Sequence, residues 1–250
     1  MAQSFYDLSV TDTRRVSPSM HQITLEGDDL LRFPSDQAGA YFKLIFAPGE
    51  PGKKALMRTY TIRRQRERAI DVQFALHGDH AAGLATRWAL DAQVGDAMTI
   101  RGPGSLKPFA PGCDFHLIAG DMSALPVISA NLERMDRDAK GLAVLEIQHE
   151  EDAAPINAPE GVAIEWLVNP QPGLHPGLLV SALSAAPRPT GVIGGWVACE
   201  FEAMKNVRGF LRDEVGVDRR NLYASSYWKL GLNEIEHKVA KSADAEAQPA

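Results

Sequence analysis

Residues Met57-Arg58-Thr59-Tyr60-Thr61-Ile62-Arg63-Arg64 gather an aromatic ring, two hydroxyls and three guanidiniums into eight residues of strand-like sequence. Side chains alternate between the faces of a strand, so Arg58, Tyr60 and Ile62 share one face and Thr59, Thr61 and Arg63 the other. A planar ring beside a hydroxyl and a cationic fork suits a flavin, a flat ring system with polar edges and a trailing phosphate. Arginine serves such a phosphate well because its fork meets two oxygens at once. The same residues would also make an exposed strand with solvated arginines.

Three further places carry candidate chemistry. Gly83-Leu84-Ala85-Thr86 reads as a helix start, where backbone N–H groups and the helix dipole can hold a pyrophosphate and the Thr86 hydroxyl can donate to it. An ordinary helix start explains the same residues. Gly120-Asp121-Met122-Ser123-Ala124-Leu125-Pro126 follows an apolar run and opens a helix. It lacks the glycine fingerprint of dinucleotide folds, yet a glycine, an acid and a small hydroxyl can make a tight turn that offers N–H groups to a phosphate. Pro126 is equally a plain helix-start signal. Gly194-Gly195-Trp196-Val197-Ala198-Cys199-Glu200 ends another apolar run, with Glu200 as a helix-start carboxylate or a nicotinamide contact.

The chain around these residues is ordinary soluble protein. Its 250 residues, 45% hydrophobic and 23% charged, suffice for one large domain or two of usual size. A net charge of −6 argues against nucleic-acid binding. Cys113 and Cys199 fit no zinc or redox spacing and read as reduced thiols of a cytoplasmic protein. The first residues do not have the pattern of a signal peptide, and no apolar run reaches membrane-spanning length. The seven histidines show no ligand spacing, so no protein-held metal is expected. The absence of long heptads favours a monomer.

Up to about Pro108 the chain reads as short strands and turns: 22–26, 40–47, 58–64, 70–76 and 94–100, with one helix around 80–90. Such spacing predicts a small antiparallel barrel. Beyond that point strands at 115–119, 142–147, 164–168, 192–197 and 222–227 alternate with helices at 124–135, 177–185 and 200–214. That rhythm predicts a parallel sheet with helices on its faces, binding ligands at the carboxyl ends of its strands. The domain division expected is 1–110 and 111–250. The tail from Asn233 reads as a charged helix fraying into disorder from Lys241.

A barrel followed by a nucleotide-type α/β domain, with these motifs in this order, resembles the siderophore-interacting protein family of the ferredoxin-reductase superfamily. The resemblance runs from about Val16 to Lys238. It is carried by FKLIF near Lys43, MRTYTIRR at Met57, LHG at Leu76, GLATRWA at Gly83, VGDAMTIRGPGS at Val94, LIAGDMSALPVI at Leu117, GGWVACE at Gly194 and SYWKLG at Ser226. It implies a β-barrel FAD domain, a parallel-sheet nucleotide domain, and reduction of ferric siderophores to release Fe(II).

In that reading Tyr60 packs against the flavin ring, Thr61 or Thr59 bonds near its N5, and Arg58 takes the phosphate. His77 lies beside the flavin. Gly83, Leu84, Ala85 and Thr86 hold the pyrophosphate. Asp121, Ser123, Ala124 and Glu200 contact NADH or NADPH, and Cys199 forms a wall of the hydride site. Trp228, with Tyr227, covers the flavin. An anionic ferric chelate would dock on basic residues, for which Lys43, Lys107, Lys229 and Lys238, with His237, are candidates. The sequence departs from the family in a long stretch between His77 and Gly83, in Leu84 where proline is common, and in Cys199 where glycine is common. The donor stays open between NADH, NADPH and a ferredoxin. A flavin reductase with another acceptor, such as a ferredoxin or a quinone, and a non-catalytic flavin or siderophore binder remain as alternatives.

Overall fold

The computed structural model describes residues 4–47, 55–76 and 83–247, and it divides into two compact units. The first holds residues up to Pro108 together with Pro126–Arg134 and Ala154–Ile156; the second holds Phe109–Leu125, Met135–Ala153 and the chain from Asn157.

The first unit is a closed antiparallel barrel of β1 (Ser4–Ser17), β2 (Met20–Glu26), β3 (Tyr41–Ala47), β4 (Leu56–Gln65), β5 (Ala69–Ala75) and β6 (Ala97–Gly102), in the order β1-β2-β5-β4-β3-β6. Closure leaves no unpaired edge. Alternate residues point inward, among them Tyr6, Leu8 and Val10 of β1, Phe42 and Leu44 of β3, and Val72 and Phe74 of β5. Strand β1 lies outside the expected set, although its inward residues alternate as a half-buried strand should. Helix α1 (Leu84–Asp91) contributes Ala85 and Ala89 to this core and rests Trp88 against it.

Strand β4 does not keep its two faces distinct throughout. Thr61, Ile62 and Arg63 are buried in succession, and the register against β5 shifts between Ile62 and Arg64. Ile62 fills the barrel. Arg63, on the outer face, is covered by the 126–134 segment and gives a bidentate pair to Glu133, with Nη2 to Oε1 at 2.6 Å and Nη1 to Oε2 at 3.0 Å.

The second unit is a five-stranded parallel sheet of β7 (Phe115–Gly120), β8 (Gly141–Ile147), β9 (Val162–Val168), β10 (Ile193–Glu200) and β11 (Leu222–Trp228), ordered β11-β10-β7-β8-β9. The order reverses beside β7, which opens a crevice at the carboxyl ends of β7 and β10. Helix α2 (Leu125–Leu132) follows β7 and belongs largely to the first unit. Helices α3 (Leu178–Ala185) and α4 (Phe201–Gly209) supply Leu179, Leu183, Met204 and Val207 to the core of the second. A π-helical turn over Phe210–Val215 ends α4.

Helix α5 (Glu234–Glu246) starts on a capping box of Asn233 and Glu236 and extends well past the point where the sequence predicts disorder. Its far end has partners the local composition does not reveal: Lys241 bonds Ser225 and Ser226 of β11, and Asp244 pairs with Arg208 of α4. The expected disordered tail is therefore a helix up to Glu246.

Candidate flavin and nucleotide sites

Within the barrel unit, Tyr60 is half-buried and packs its ring 4.4 Å from that of Phe74, at 43°. Phe74 in turn meets Trp88 of α1 at 5.8 Å. One buried ring thus ties the Tyr60 strand to the helix that begins at Gly83. Trp88 also meets Phe46 edge-on and is a packing residue. Thr61 is buried opposite Tyr41, and Thr59 is exposed opposite Lys43.

Among the described residues helix α1 has no side-chain cap: Gly83 stands at its N-cap with φ −58°, and no described side chain accepts from the first turn. A Cβ added at Gly83 would meet nothing within 4 Å. Of the three arginines on β4, Arg63 is committed to Glu133, Arg64 is exposed and Arg58 is half-buried. Arg58 Nη1 donates to the carbonyl of Met57 at 3.0 Å. His77 lies outside the described residues.

At the carboxyl end of the parallel sheet, Asp121 is a hub. Its Oδ2 accepts from Trp228 Nε1 at 2.7 Å and from the Glu200 N–H at 2.9 Å. Its Oδ1 accepts from the N–H and hydroxyl of Ser123. Glu200 caps α4, with Oε2 accepting from Glu202 N–H at 2.6 Å and Ala203 N–H at 3.2 Å, while Oε1 accepts from Leu230 N–H at 3.2 Å. Gly173, at φ +81°, brings its backbone against Trp228 and Glu200, where a Cβ would come within 2.9 Å of the indole. Trp228 is thus held by its own unit. Ala124 is fully buried behind the loop.

Sequence reasoning missed Glu146. It ends β8, buried, and accepts from Asn169 Nδ2 at 2.8 Å. Burial pushes its carboxyl up to about 7, with Asp121 and Glu200 adding to the rise against the Asn169 bond. The signal was an acid in an otherwise apolar strand, Leu142 to Ile147. Cys199 is not a wall of an open site: it is 1% exposed, packs into the α/β core, and its thiol is pushed well up by burial and by Asp121, Glu146 and Glu200.

The four docking lysines fare differently. Lys43, half-buried on the outer barrel face, is paired across the sheet with Thr59 and with Arg101 of β6, a second cation not named from the sequence. The buried Arg101 Nε has no hydrogen-bond partner among the described residues. Lys107 is exposed, and its carbonyl accepts from Asn131 at 2.9 Å. Lys229 is committed elsewhere: its Nζ bonds Glu202 at 2.8 Å and sits 4.0 Å over the Phe201 ring. Lys238 pairs with Glu234 at 2.6 Å along α5. Neighbouring His237 is buried against the Ser226 hydroxyl at 2.8 Å, so it presents no surface cation.

Family models match both units. Residues 9–54 and 49–106 match the siderophore-interacting FAD-binding domain, and residues 113–231 match the siderophore-interacting protein model. The chain belongs to the siderophore-interacting protein family. Its barrel is that family's FAD-binding domain, and FAD is the cofactor it is built to hold. Among members of the family, the ferric vibriobactin reductase ViuB of Vibrio cholerae is 37% identical over 88% of this chain and 87% of its own. The NADPH-dependent ferric-chelate reductase of Escherichia coli is 24% identical over 90% and 92%. The siderophore-interacting protein SipS of Aeromonas hydrophila superposes with a TM-score of 0.86 at 31% identity, covering 98% of this chain and 99% of that one. A cytochrome P450 reductase of Amycolatopsis, at 16% identity and TM-score 0.65, shares the ferredoxin-reductase fold. No described helix is long and apolar enough to cross a membrane.

Proposed function

We propose that this chain takes electrons from NADPH or NADH and delivers them through FAD to a ferric siderophore, releasing Fe(II) in the cytoplasm. The chain is an FAD-dependent ferric-chelate reductase. The observation that carries the reading is the uncapped start of α1 at Gly83, joined through Phe74 to Tyr60 on β4. Bound FAD supplies the chemistry that couples a two-electron hydride donor to a one-electron metal acceptor.

The residues hold and orient. Tyr60 and Thr61 would flank the ring, Arg58 would take the phosphate, and the N–H groups of Leu84, Ala85 and Thr86, with the Thr86 hydroxyl, would hold the pyrophosphate. The nucleotide would bind at the carboxyl ends of β7 and β10. Asp121 and Glu200 are spent on internal bonds there, as are the N–H groups of Ser123, Ala124, Leu125, Glu202 and Ala203, so both acids shape the loop and the start of α4. No residue need act as an acid or base at the iron. Lowering the charge on the metal weakens its hold on hard oxygen ligands, and the ferrous ion leaves. Lys43 and Arg101 form the cationic face on the barrel best placed for an anionic chelate, with Lys107 on the same unit.

A steady-state comparison of acceptors tests this. Nucleotide oxidation should be fastest with ferric catecholate or hydroxamate chelates and should match the Fe(II) captured by a ferrous trap. Faster turnover with a quinone or a ferredoxin, and no trapped Fe(II), would replace the acceptor.

A further inference from the structure

Between α4, the outer edge of β11 and α5 lies a cleft of about 490 Å³, wholly within the second unit. Four cations line it: Arg208 of α4, Arg212 of the π-helical turn, Arg219 before β11, and Lys241 of α5. Arg208 is paired with Asp244, and Arg212 with Asp213 at 2.6 and 2.8 Å, yet the four cations outnumber these two carboxylates on a chain of net charge −6. Met204 and Leu222 form part of the wall, so the cleft is cationic on an apolar base.

Lys241 is the decisive group. Its Nζ donates to Ser225 Oγ at 2.6 Å and to the Ser226 carbonyl at 3.0 Å, both neutral oxygens. An ammonium has three hydrogens, so one remains for a ligand. The carboxylate in the same wall, Asp244, is held by Arg208 in a bidentate pair at 2.6 and 2.8 Å. Burial lowers the Lys241 pKa, and its charge in turn lowers that of neighbouring His237. Lys241 is an exposed residue whose Nζ is anchored on neutral oxygens, and an anion in the cleft would add a charged partner. The π turn adds a second sign, because such widened turns are rare and gather at functional sites.

We infer that this cleft is a second ligand site, which binds a small phosphate-bearing molecule between Lys241 and the arginines of α4 and the following turns. A phosphate dianion matches several converging cations better than a single carboxylate does, and the apolar base accommodates a short organic body. The site uses none of the residues assigned to FAD or the nucleotide, so it stands apart from the reductase reading.

The test uses the FAD-saturated full chain, with inorganic phosphate as probe against sodium chloride of equal ionic strength. Phosphate should raise the Tm of the wild type. Lys241→Met should abolish that rise. Arg219→Gln, at an exposed position, should weaken phosphate binding about tenfold in calorimetry, the worth of one charge-assisted bond, with the phosphate-free Tm unchanged. Flavin content and nucleotide response should be the same in all three proteins. A phosphate effect that is absent from the wild type, or that survives both substitutions, would overturn the inference.

Discussion

Trp228 Nε1 donates a 2.7 Å hydrogen bond to Asp121 Oδ2, which joins the end of β11 to the loop after β7. The same oxygen accepts the Glu200 N–H, so one carboxylate fixes the ends of three parallel strands. Each partner alone reads as a ligand contact. Together they form the internal frame on which the nucleotide-binding end of the sheet is set.

Asp121→Asn should therefore act on stability first. The amide loses one acceptor oxygen and places an NH₂ among donors. The expected cost is about 2 kcal/mol, in the range for hydrogen bonds to a charged group. Urea unfolding followed by tryptophan fluorescence checks it, and the nucleotide KM should rise as the loop loosens.

Glu146 gives a pH dependence of known sign. Its carboxyl moves from the ordinary 4.5 to about 7. Between those values the folded protein holds a proton that the unfolded chain has released, so raising the pH weakens the fold through that window. Above about pH 8 the loss is complete, and it amounts to roughly 3 kcal/mol at most. Glu146→Gln keeps an acceptor for Asn169 and should flatten this part of the profile. Its Tm should exceed that of the wild type at pH 8 and approach it at pH 5.

The Arg63–Glu133 pair separates fold from flavin. Arg63 is 11% exposed at its side chain, so removing its carboxylate strands a buried charge. Glu133→Ala should cost about 3 kcal/mol in urea unfolding. The FAD affinity of the protein that remains folded should stay within about twofold, because a paired Arg63 is no phosphate ligand.

Gly83→Ala tests the phosphate position directly. The residue has φ −58° and open space around its Cβ, so alanine should change the stability of the flavin-free protein by less than about 0.5 kcal/mol. A methyl in the path of the pyrophosphate should weaken FAD binding by about tenfold, the scale of one lost charge-assisted bond. Flavin fluorescence titration reads this, and Arg58→Ala should give a loss of similar size.

Much of this was legible from the chain. Strand spacing up to Pro108 and the strand–helix rhythm after it gave both architectures, because each follows from local periodicity. What escaped depends on partners distant in sequence. Arg63 looks like one more guanidinium of the flavin strand until Glu133, 70 residues away, covers it. The segment from Lys241 looks soluble and frayed until Ser225, Ser226 and Arg208 take its side chains. Lys229 looks like a docking cation until Glu202 pairs with it. Strand β1 was the exception, since the alternation of Tyr6, Leu8 and Val10 was visible but polar residues between them hid it.

The central claim is that electrons pass through a flavin held by β4 and α1. Anaerobic absorbance of the FAD-loaded protein tests it most directly, first on adding NADPH or NADH and then a ferric siderophore with a ferrous trap. The account predicts that the flavin band bleaches with at least one nucleotide and returns in step with two trapped Fe(II) per flavin. A flavin band that stays oxidised with both nucleotides, or that bleaches and is not restored by the ferric chelate, would contradict it.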